Sequence, residues 1–196
     1  MLNTTKAHIL VVCTGNICRS PAAERLLADA LAGVDDGVRV SSAGTRPMEG
    51  DPIEPTMARL LDEGGVDTGG FAARWLTPDL IRDADVVLAM TRDHRSKIVQ
   101  MAPAALKRTF TLRELARLAQ RIAPDELDAV AGPEADVSAR LAALVQLAPR
   151  HRGPVPPEDD DVVDPYRKGD DVFAEVYAQL VGEVTALVRV LAPDRA

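Results

Sequence analysis

The feature that most constrains this chain is a strand, a tight loop and a helix that follow one another near its beginning. Residues 9–12 form an apolar run, Ile-Leu-Val-Val, which is typical of a buried strand. Ser20 and Pro21, followed by Glu24, are typical of a helix start that carries proline in its first turn. The loop between them, residues 13–20, reads Cys-Thr-Gly-Asn-Ile-Cys-Arg-Ser. A buried strand that leads directly into a helix is the repeating unit of α/β folds, so the sequence predicts that class.

The same alternation of strands and helices continues along the chain. Strands are predicted at residues 7–13, 38–42, 85–90 and 107–111. Helices are predicted at residues 21–33, 53–64, 92–101, 112–122 and 170–191. This order indicates a three-layer sandwich, with a central four-stranded parallel sheet and helices on both faces. The chain has 196 residues and 46% hydrophobic content, so residues 1–196 are predicted to form a single domain.

The loop at residues 13–20 has the chemistry of an oxyanion site. A helix N-terminus presents unpaired amide groups and the positive end of the helix dipole to a bound anion. Gly15 and Asn16 tolerate the left-handed backbone angles that turn successive N–H groups inward. Arg19 can hold two phosphoryl oxygens at once, and the positive field favours the thiolate form of Cys13. The alternative is that Cys13 is a small buried apolar residue and Arg19 an ordinary residue of a first helical turn.

A second group of interest lies far downstream, in Asp164-Pro165-Tyr166. A carboxylic acid near the loop could protonate a leaving alkoxide or phenoxide, an effect on the order of 10² to 10⁴ in rate. Pro165 restricts Asp164 to an extended conformation, so the carboxyl group is presented on a rigid turn. Tyr166 could line the mouth of the site. The alternative is that this segment is only a turn before the last helix.

Composition excludes several other classes of protein. The net charge of −7 disfavours nucleic-acid binding, which needs a basic surface. No apolar stretch approaches the length of a membrane span, and residues 1–6 lead into a strand without a signal-peptide core. The two cysteines both lie in the loop, which excludes a disulfide scaffold and favours a reducing compartment. The sequence therefore predicts a cytoplasmic protein that binds neither membrane nor nucleic acid.

These segments together resemble the low-molecular-weight protein tyrosine phosphatases. The resemblance is carried by residues 12–21, 42–45, 83–90 and 164–166, in this order along the chain. It implies hydrolysis of phosphotyrosine-type phosphomonoesters through a cysteinyl-phosphate intermediate, with a phosphotyrosine-bearing protein or peptide as substrate and inorganic phosphate as product. It also implies that no cofactor and no metal are needed.

The resemblance assigns roles to individual residues. It implies that Cys13 is the nucleophile, that Ser20 assists the thiolate as leaving group, and that Asp164 is the general acid. Asn16 and Ser42 would brace the loop through hydrogen bonds. The residues expected to surround the phosphoryl group are Thr14, Gly15, Asn16, Ile17, Cys18 and Arg19. The residues expected at the substrate rim are Arg46, Tyr166 and Arg167.

The chain departs from the family pattern at its rim and at one brace. Phe71 stands where members usually carry a histidine, so one brace of the loop is missing or replaced. Arg46 and Pro47 occupy a rim position that is apolar in many members, and Arg167 replaces a second aromatic residue, as in bacterial members. The chemical steps are untouched, but substrate preference at the rim is left open.

Two loop residues carry further hypotheses. Ile17 corresponds to threonine in the related arginine phosphatases, which favours a tyrosine-type substrate; the alternative is that Ile17 only packs under the loop. The resemblance implies that Cys18 traps an oxidised Cys13 as a disulfide and prevents over-oxidation. The alternative is that Cys18 is a packing residue.

Residues 123–161 are interpreted as an insertion before the Asp-Pro turn, because the corresponding link in the family is much shorter. A helix is predicted at residues 134–148, followed by a proline-rich, acidic connector. The apolar face of that helix is formed by Leu141, Leu144, Val145 and Leu147. The segment could be a solvated loop, or a lid or partner-docking element. Its acidic run, residues 158–161, would either repel acidic substrates or fold onto Arg46, Arg167 and Lys168.

Two other functions remain open at this point. An arsenate reductase on the same scaffold would use the same anion-sized loop, but the thioredoxin-coupled type needs a third cysteine, and the chain has only two. A non-catalytic phosphate-binding or phosphotyrosine-binding module would have lost Cys13, Arg19 or Asp164, and all three are present.

Overall fold

A four-stranded sheet lies at the centre of the structure, a computed structural model that describes residues 7–32 and 37–193. The strands are β1 (Ala7–Cys13), β2 (Val38–Gly44), β3 (Val86–Ala89) and β4 (Thr109–Thr111). Their order across the sheet is β2-β1-β3-β4, and each neighbouring pair is parallel. The predicted α/β class and parallel sheet are confirmed. Since β1 is flanked by β2 and β3, its carboxyl end lies where the strand order reverses, the usual ligand position in such sheets.

Eight α-helices connect and cover these strands within the described residues. They are α1 (Arg19–Leu31), α2 (Pro55–Glu63), α3 (Pro78–Arg82), α4 (Arg92–Met101), α5 (Leu112–Ala119), α6 (Pro124–Ala131), α7 (Val137–Leu147) and α8 (Asp170–Leu191). Several begin at side chains that accept a hydrogen bond from the first turn, among them Thr91 for α4 and Thr111 for α5. None of these helices is long and apolar enough to cross a membrane.

The two faces of the sheet are covered by different helices. β1 alternates: Ile9 and Val11 face a large core that includes residues of α1, α2, α5, α7 and α8. Leu10 and Val12 face a smaller core with Ile81 of α3 and residues of α4. The strand is buried along its whole length. This arrangement is the three-layer sandwich predicted from the sequence.

The predicted boundaries differ from the observed ones at a few places. The first helix begins at Arg19 rather than residue 21, and position 33 lies outside the described residues, as do residues 1–6. The predicted strand at 107–111 is shorter, because Pro103–Arg108 forms a 3-10 turn. Helices α3 and α6 were not predicted. Both are short and start at proline, so they offer too little periodicity to be recognised in sequence.

The segment at residues 123–161 packs against the rest of the structure mainly through α7. It contains α6, α7 and two 3-10 turns, Ala148–His151 and Pro157–Asp159. The predicted helix at 134–148 is observed as α7, whose residues Leu141, Leu144 and Leu147 are buried in the large core. A wholly solvated loop is therefore not what these residues form. That the segment is an insertion stays a prediction.

Candidate active site

The loop between β1 and α1 is held from outside through its carbonyl groups. The backbone N–H groups of residues 45, 46, 48 and 54 donate to the carbonyl oxygens of residues 13, 14, 15 and 17, at 2.8–3.0 Å. A peptide unit whose carbonyl points outward turns its N–H the other way. The loop therefore presents amide donors to the space above Cys13, as an oxyanion site requires.

The Cys13 sulfur accepts or shares two hydrogen bonds at the base of this loop. Ser20 Oγ lies 2.9 Å from Sγ, and the Asn16 backbone N–H donates to Sγ at 3.3 Å. The Asn16 side-chain amide donates to Ser20 Oγ at 3.0 Å, so the Ser20 proton is free to point at the sulfur. This arrangement stabilises negative charge on Cys13.

Asn16 is the centre of a buried hydrogen-bond network beneath the loop. It is fully buried and has φ 54°, a left-handed conformation that asparagine tolerates well. Its Nδ2 also donates to Ser42 Oγ at 2.8 Å, and its Oδ1 accepts from the Arg74 backbone N–H at 2.9 Å. Ser42 in turn donates to Glu24 at 2.5 Å, and burial raises the pKa of Glu24. The side chains of Asn16 and Ser42 therefore lie under the loop rather than in the cavity.

Arg19 and Asp164 meet at the other side of the loop. Arg19 Nη2 lies 2.6 Å from Asp164 Oδ2, and Arg19 Nη1 donates to the Val162 carbonyl at 3.0 Å. The Arg19 side chain is 5% exposed and that of Asp164 is 54% exposed. Arg19 Nε is buried without a hydrogen-bond partner among the described residues. A buried cation with unused donor capacity is suited to bind an anion.

His94 braces the loop from α4, and sequence analysis did not identify it. Its Nε2 lies 2.8 Å from Thr14 Oγ1, and its Nδ1 lies 2.8 Å from Thr91 Oγ1. Burial, with a smaller effect of Arg19, lowers the pKa of His94 to about 4. The ring is therefore neutral near pH 7, with one nitrogen as donor and one as acceptor. A single histidine in a helix carries no sequence signal for such a role.

A cavity of about 180 Å³ opens above the loop. It is lined by Cys13, Thr14, Gly15, Ile17, Cys18, Arg19, Arg46, Met48, Asp164 and Tyr166. The structure thus brings together most of the predicted residues, although Cys13 and Tyr166 are more than 150 positions apart in the sequence. Met48 was not predicted; the Tyr166 hydroxyl lies 3.9 Å from its sulfur. Arg167 does not line the cavity but lies over the Tyr166 ring, 5.2 Å from its centroid.

The structure corrects one of the two hypotheses about the acidic run at residues 158–161. The acidic run does not fold onto Arg46, Arg167 or Lys168; Asp160 and Asp161 instead bind Arg92 on α4. Proximity in the structure decides which basic residue the acidic run binds: α4 begins beside the Asp-Pro turn, so Arg92 is within reach of Asp160 and Asp161.

Phe71 and Cys18 occupy apolar surroundings. Phe71 packs against the large core, with the Arg25 guanidinium 5.8 Å from its ring centroid. It makes no hydrogen bond to the loop, and His94 braces the loop at another point. Cys18 is a buried free thiol, and burial raises its pKa to about 12. The protective disulfide between Cys13 and Cys18 stays a prediction.

Fold and site together define a class: an α/β protein with a thiol and an arginine in an oxyanion loop after the first strand. A family model described as low molecular weight phosphotyrosine protein phosphatase matches residues 8–135. The low molecular weight protein-tyrosine-phosphatase Etp of Escherichia coli (strain K12) is 31% identical over 172 residues, covering 88% of this chain and 86% of the relative. The chain belongs to the low molecular weight protein tyrosine phosphatase family.

Solved structures agree with this assignment. The tyrosine phosphatase AmsI of Erwinia amylovora superposes with a TM-score of 0.68 at 26% identity, covering 98% of this chain and 97% of that one. The YwlE arginine phosphatase from Geobacillus stearothermophilus superposes with a TM-score of 0.67 at 27% identity, covering 96% of this chain and 95% of that one. The match to the family model ends at residue 135, before Asp164, whose carboxyl group lies 2.6 Å from the Arg19 guanidinium.

Proposed function

We propose that this protein hydrolyses phosphotyrosine-type phosphomonoesters through a cysteinyl-phosphate on Cys13. The observation that carries the proposal is that Cys13, Arg19 and Asp164 line one cavity above a loop of amide donors. Nucleophile, oxyanion site and proton donor are the three groups that a metal-independent phosphoryl transfer to a thiol requires.

In the first step the Cys13 thiolate attacks phosphorus in line with the leaving oxygen. The P–O bond to the leaving group breaks as the S–P bond forms. Asp164, protonated and no longer paired with Arg19 once the phosphoryl group is bound, gives its proton to the departing phenoxide. Arg19 and the loop amides bind the equatorial oxygens, on which charge is spread in the transition state. The step leaves a phosphoryl group on sulfur and a carboxylate at Asp164.

In the second step water hydrolyses the cysteinyl-phosphate. Asp164, now a carboxylate, takes a proton from the attacking water, and inorganic phosphate is released. The S–P bond breaks with its electron pair on sulfur. Ser20 Oγ lies 2.9 Å from that sulfur and stabilises the returning thiolate by donating a hydrogen bond.

Phosphotyrosine is the substrate class that the cavity favours. Ile17 lines the wall, and Met48 and Tyr166 form an apolar rim on which a phenyl ring can pack. Because an arginine phosphatase is among the similar structures, phosphoarginine is the competing substrate. We further propose that the protein acts in the cytoplasm, where its two free cysteines stay reduced.

Rates on a matched phosphotyrosine peptide and phosphoarginine peptide test the proposal. We expect wild type to prefer phosphotyrosine, Cys13→Ser to abolish turnover, and Asp164→Ala to lower kcat by roughly 10² to 10⁴. Asp171→Ala, which removes an exposed carboxylate at the start of α8, is the matched control and should retain full activity.

Each alternative has its own signature in the same experiment. Preference for phosphoarginine would reject the substrate class, and turnover by Cys13→Ser would reject the covalent step. Absence of activity at every pH would favour a binding module. Arsenate-dependent consumption of an added thiol would favour a reductase.

A further inference from the structure

The backbone leading to Asp164 is fixed at Val162, two residues before it. The Val162 N–H donates to the carbonyl of Met90, the residue that follows β3, at 2.8 Å. Its carbonyl accepts from Arg19 at 3.0 Å, and its side chain is buried. Val163 next to it is exposed, so the segment that leads to Asp164 is held at Val162 and at the residues before it.

The chain enters Val162 through Asp160, a carboxylate that is almost fully buried. Its side chain is 8% exposed, and both of its oxygens bind arginines. Oδ2 accepts from Arg92 Nε and Nη2 at 2.8 and 2.6 Å, and Oδ1 accepts from Arg117 Nη1 at 2.8 Å. Arg92 belongs to α4 and Arg117 to α5, so this single carboxylate joins two helices on opposite faces of the sheet.

The backbone around Asp160 is bound by the same helices. Arg113 of α5 donates to the carbonyls of Glu158 and Asp161, and its Nε pairs with Glu183 of α8 at 3.3 Å. The Arg92 backbone N–H donates to Asp161 Oδ1 at 2.7 Å. Apart from the 3-10 turn Pro157–Asp159, residues 152–169 have no regular secondary structure. Hydrogen bonds and ion pairs with these side chains therefore hold the backbone of the segment, as strand pairing or a helix would do elsewhere.

We infer that Asp160, with Arg92 and Arg117, is a positioning element for proton transfer by Asp164, an inference that rests on the proposed function. Loss of one member of a buried pair leaves charges without partners, so the segment must move to solvate them. Proton transfer requires heavy atoms within about 3 Å, and small displacements of the carboxyl group lower its rate. Asp160 touches neither substrate nor reacting atoms; it acts through the backbone of residues 161–163.

The test uses the dependence of kcat/KM on the leaving group, because kcat/KM reports on formation of the cysteinyl-phosphate and not on its later hydrolysis, in which Asp164 also takes part. A poor leaving group such as phenol needs its proton in the transition state, whereas p-nitrophenol departs largely without it. We expect Asp160→Asn to lower kcat/KM for phenyl phosphate about tenfold, and for p-nitrophenyl phosphate by less than about threefold. Arg117→Lys keeps the charge but loses the planar fork, and should shift the same ratio in the same direction by a smaller amount.

The matched control is Asp128→Asn. Asp128 pairs with Arg140 at 2.7 Å, also within residues 123–161, but this pair joins α6 to α7 away from the cavity. Its loss should lower the melting temperature and leave the ratio of the two kcat/KM values unchanged. A ratio that changes in Asp160→Asn but not in Asp128→Asn separates positioning from general destabilisation.

Asp164→Asn, alone and with Asp160→Asn, separates this inference from the proposed function. Asp164→Asn should steepen the dependence on the leaving group, and adding Asp160→Asn should then cause no further loss for phenyl phosphate. If Asp164→Asn leaves the ratio unchanged, the proposed general acid is wrong. The positioning role is overturned if Asp164→Asn shifts the ratio while Asp160→Asn and Arg117→Lys behave like the control. It is also overturned if the losses of the two single variants add in full in the double variant.

Discussion

At the scale of single residues, Asn16 determines which hydrogen bonds the Cys13 sulfur can receive. Its two amide protons go to Ser20 and Ser42, and its carbonyl oxygen accepts from Arg74. The donor from Arg74 fixes which end of the amide is oxygen. Ser20 is therefore left with its own proton for Cys13. One buried side chain thus sets the polarity of the hydrogen bonds around the nucleophile.

His94 makes the stability of the protein depend on pH. Its pKa is about 4 in the folded protein against 6.5 as the ordinary value, so the unfolded chain binds the proton more tightly. The contribution of His94 to stability is therefore fully present above pH 6.5 and is lost as pH falls toward 4. We expect His94→Gln to reduce the difference in unfolding free energy between pH 7 and pH 4.5 by about 2 kcal/mol. Urea denaturation at both pH values measures it.

The matched control for His94 is Gln100→Ala on the exposed side of α4. It should show the same loss of stability on acidification as wild type. An undiminished loss in His94→Gln would contradict the assignment of this effect to His94.

At the scale of elements, the oxyanion loop depends on its contact with the end of β2. Gly44 is the point of closest approach: a Cβ there would lie 2.5 Å from the Thr14 carbonyl oxygen and 3.0 Å from the Asn16 Cβ. Backbone must shift to admit it. We expect Gly44→Ala to weaken inhibition by inorganic phosphate about tenfold and to lower stability by roughly 1–3 kcal/mol. Steady-state inhibition and denaturant unfolding provide the two measurements.

Gly182→Ala is the contrasting variant for this prediction. Gly182 lies in α8, and nothing comes within 4 Å of an added Cβ. Alanine in a helix interior should raise stability by roughly 0.5–1 kcal/mol and leave phosphate inhibition unchanged. Equal phosphate inhibition in Gly44→Ala and wild type would show that the loop does not depend on this close approach.

At the scale of the whole molecule, features that depend on a local sequence pattern could be predicted, whereas features that depend on contacts between distant residues could not. The sheet and the β1 loop were predictable, because apolar strand-like runs that alternate with helical segments, and a Ser-Pro helix start, are local signals. His94 was not, since its partner Thr14 is 80 positions away and only the parallel pairing of β1 with β3 brings them together. For the same reason, one of the two hypotheses for the acidic run named the wrong basic partners, because Asp160 binds Arg92 and Arg117.

The most direct test of the central claim is to trap the phosphoryl group on the enzyme. Wild type and Cys13→Ser are mixed with an excess of aryl phosphate, quenched within a turnover, and analysed by peptide mass spectrometry. We expect wild type to carry one phosphoryl group on Cys13, which forms as fast as the phenol is released, and Cys13→Ser to carry none. Turnover by wild type without a phosphoryl group on Cys13, or with the label on another residue, would contradict the proposed mechanism.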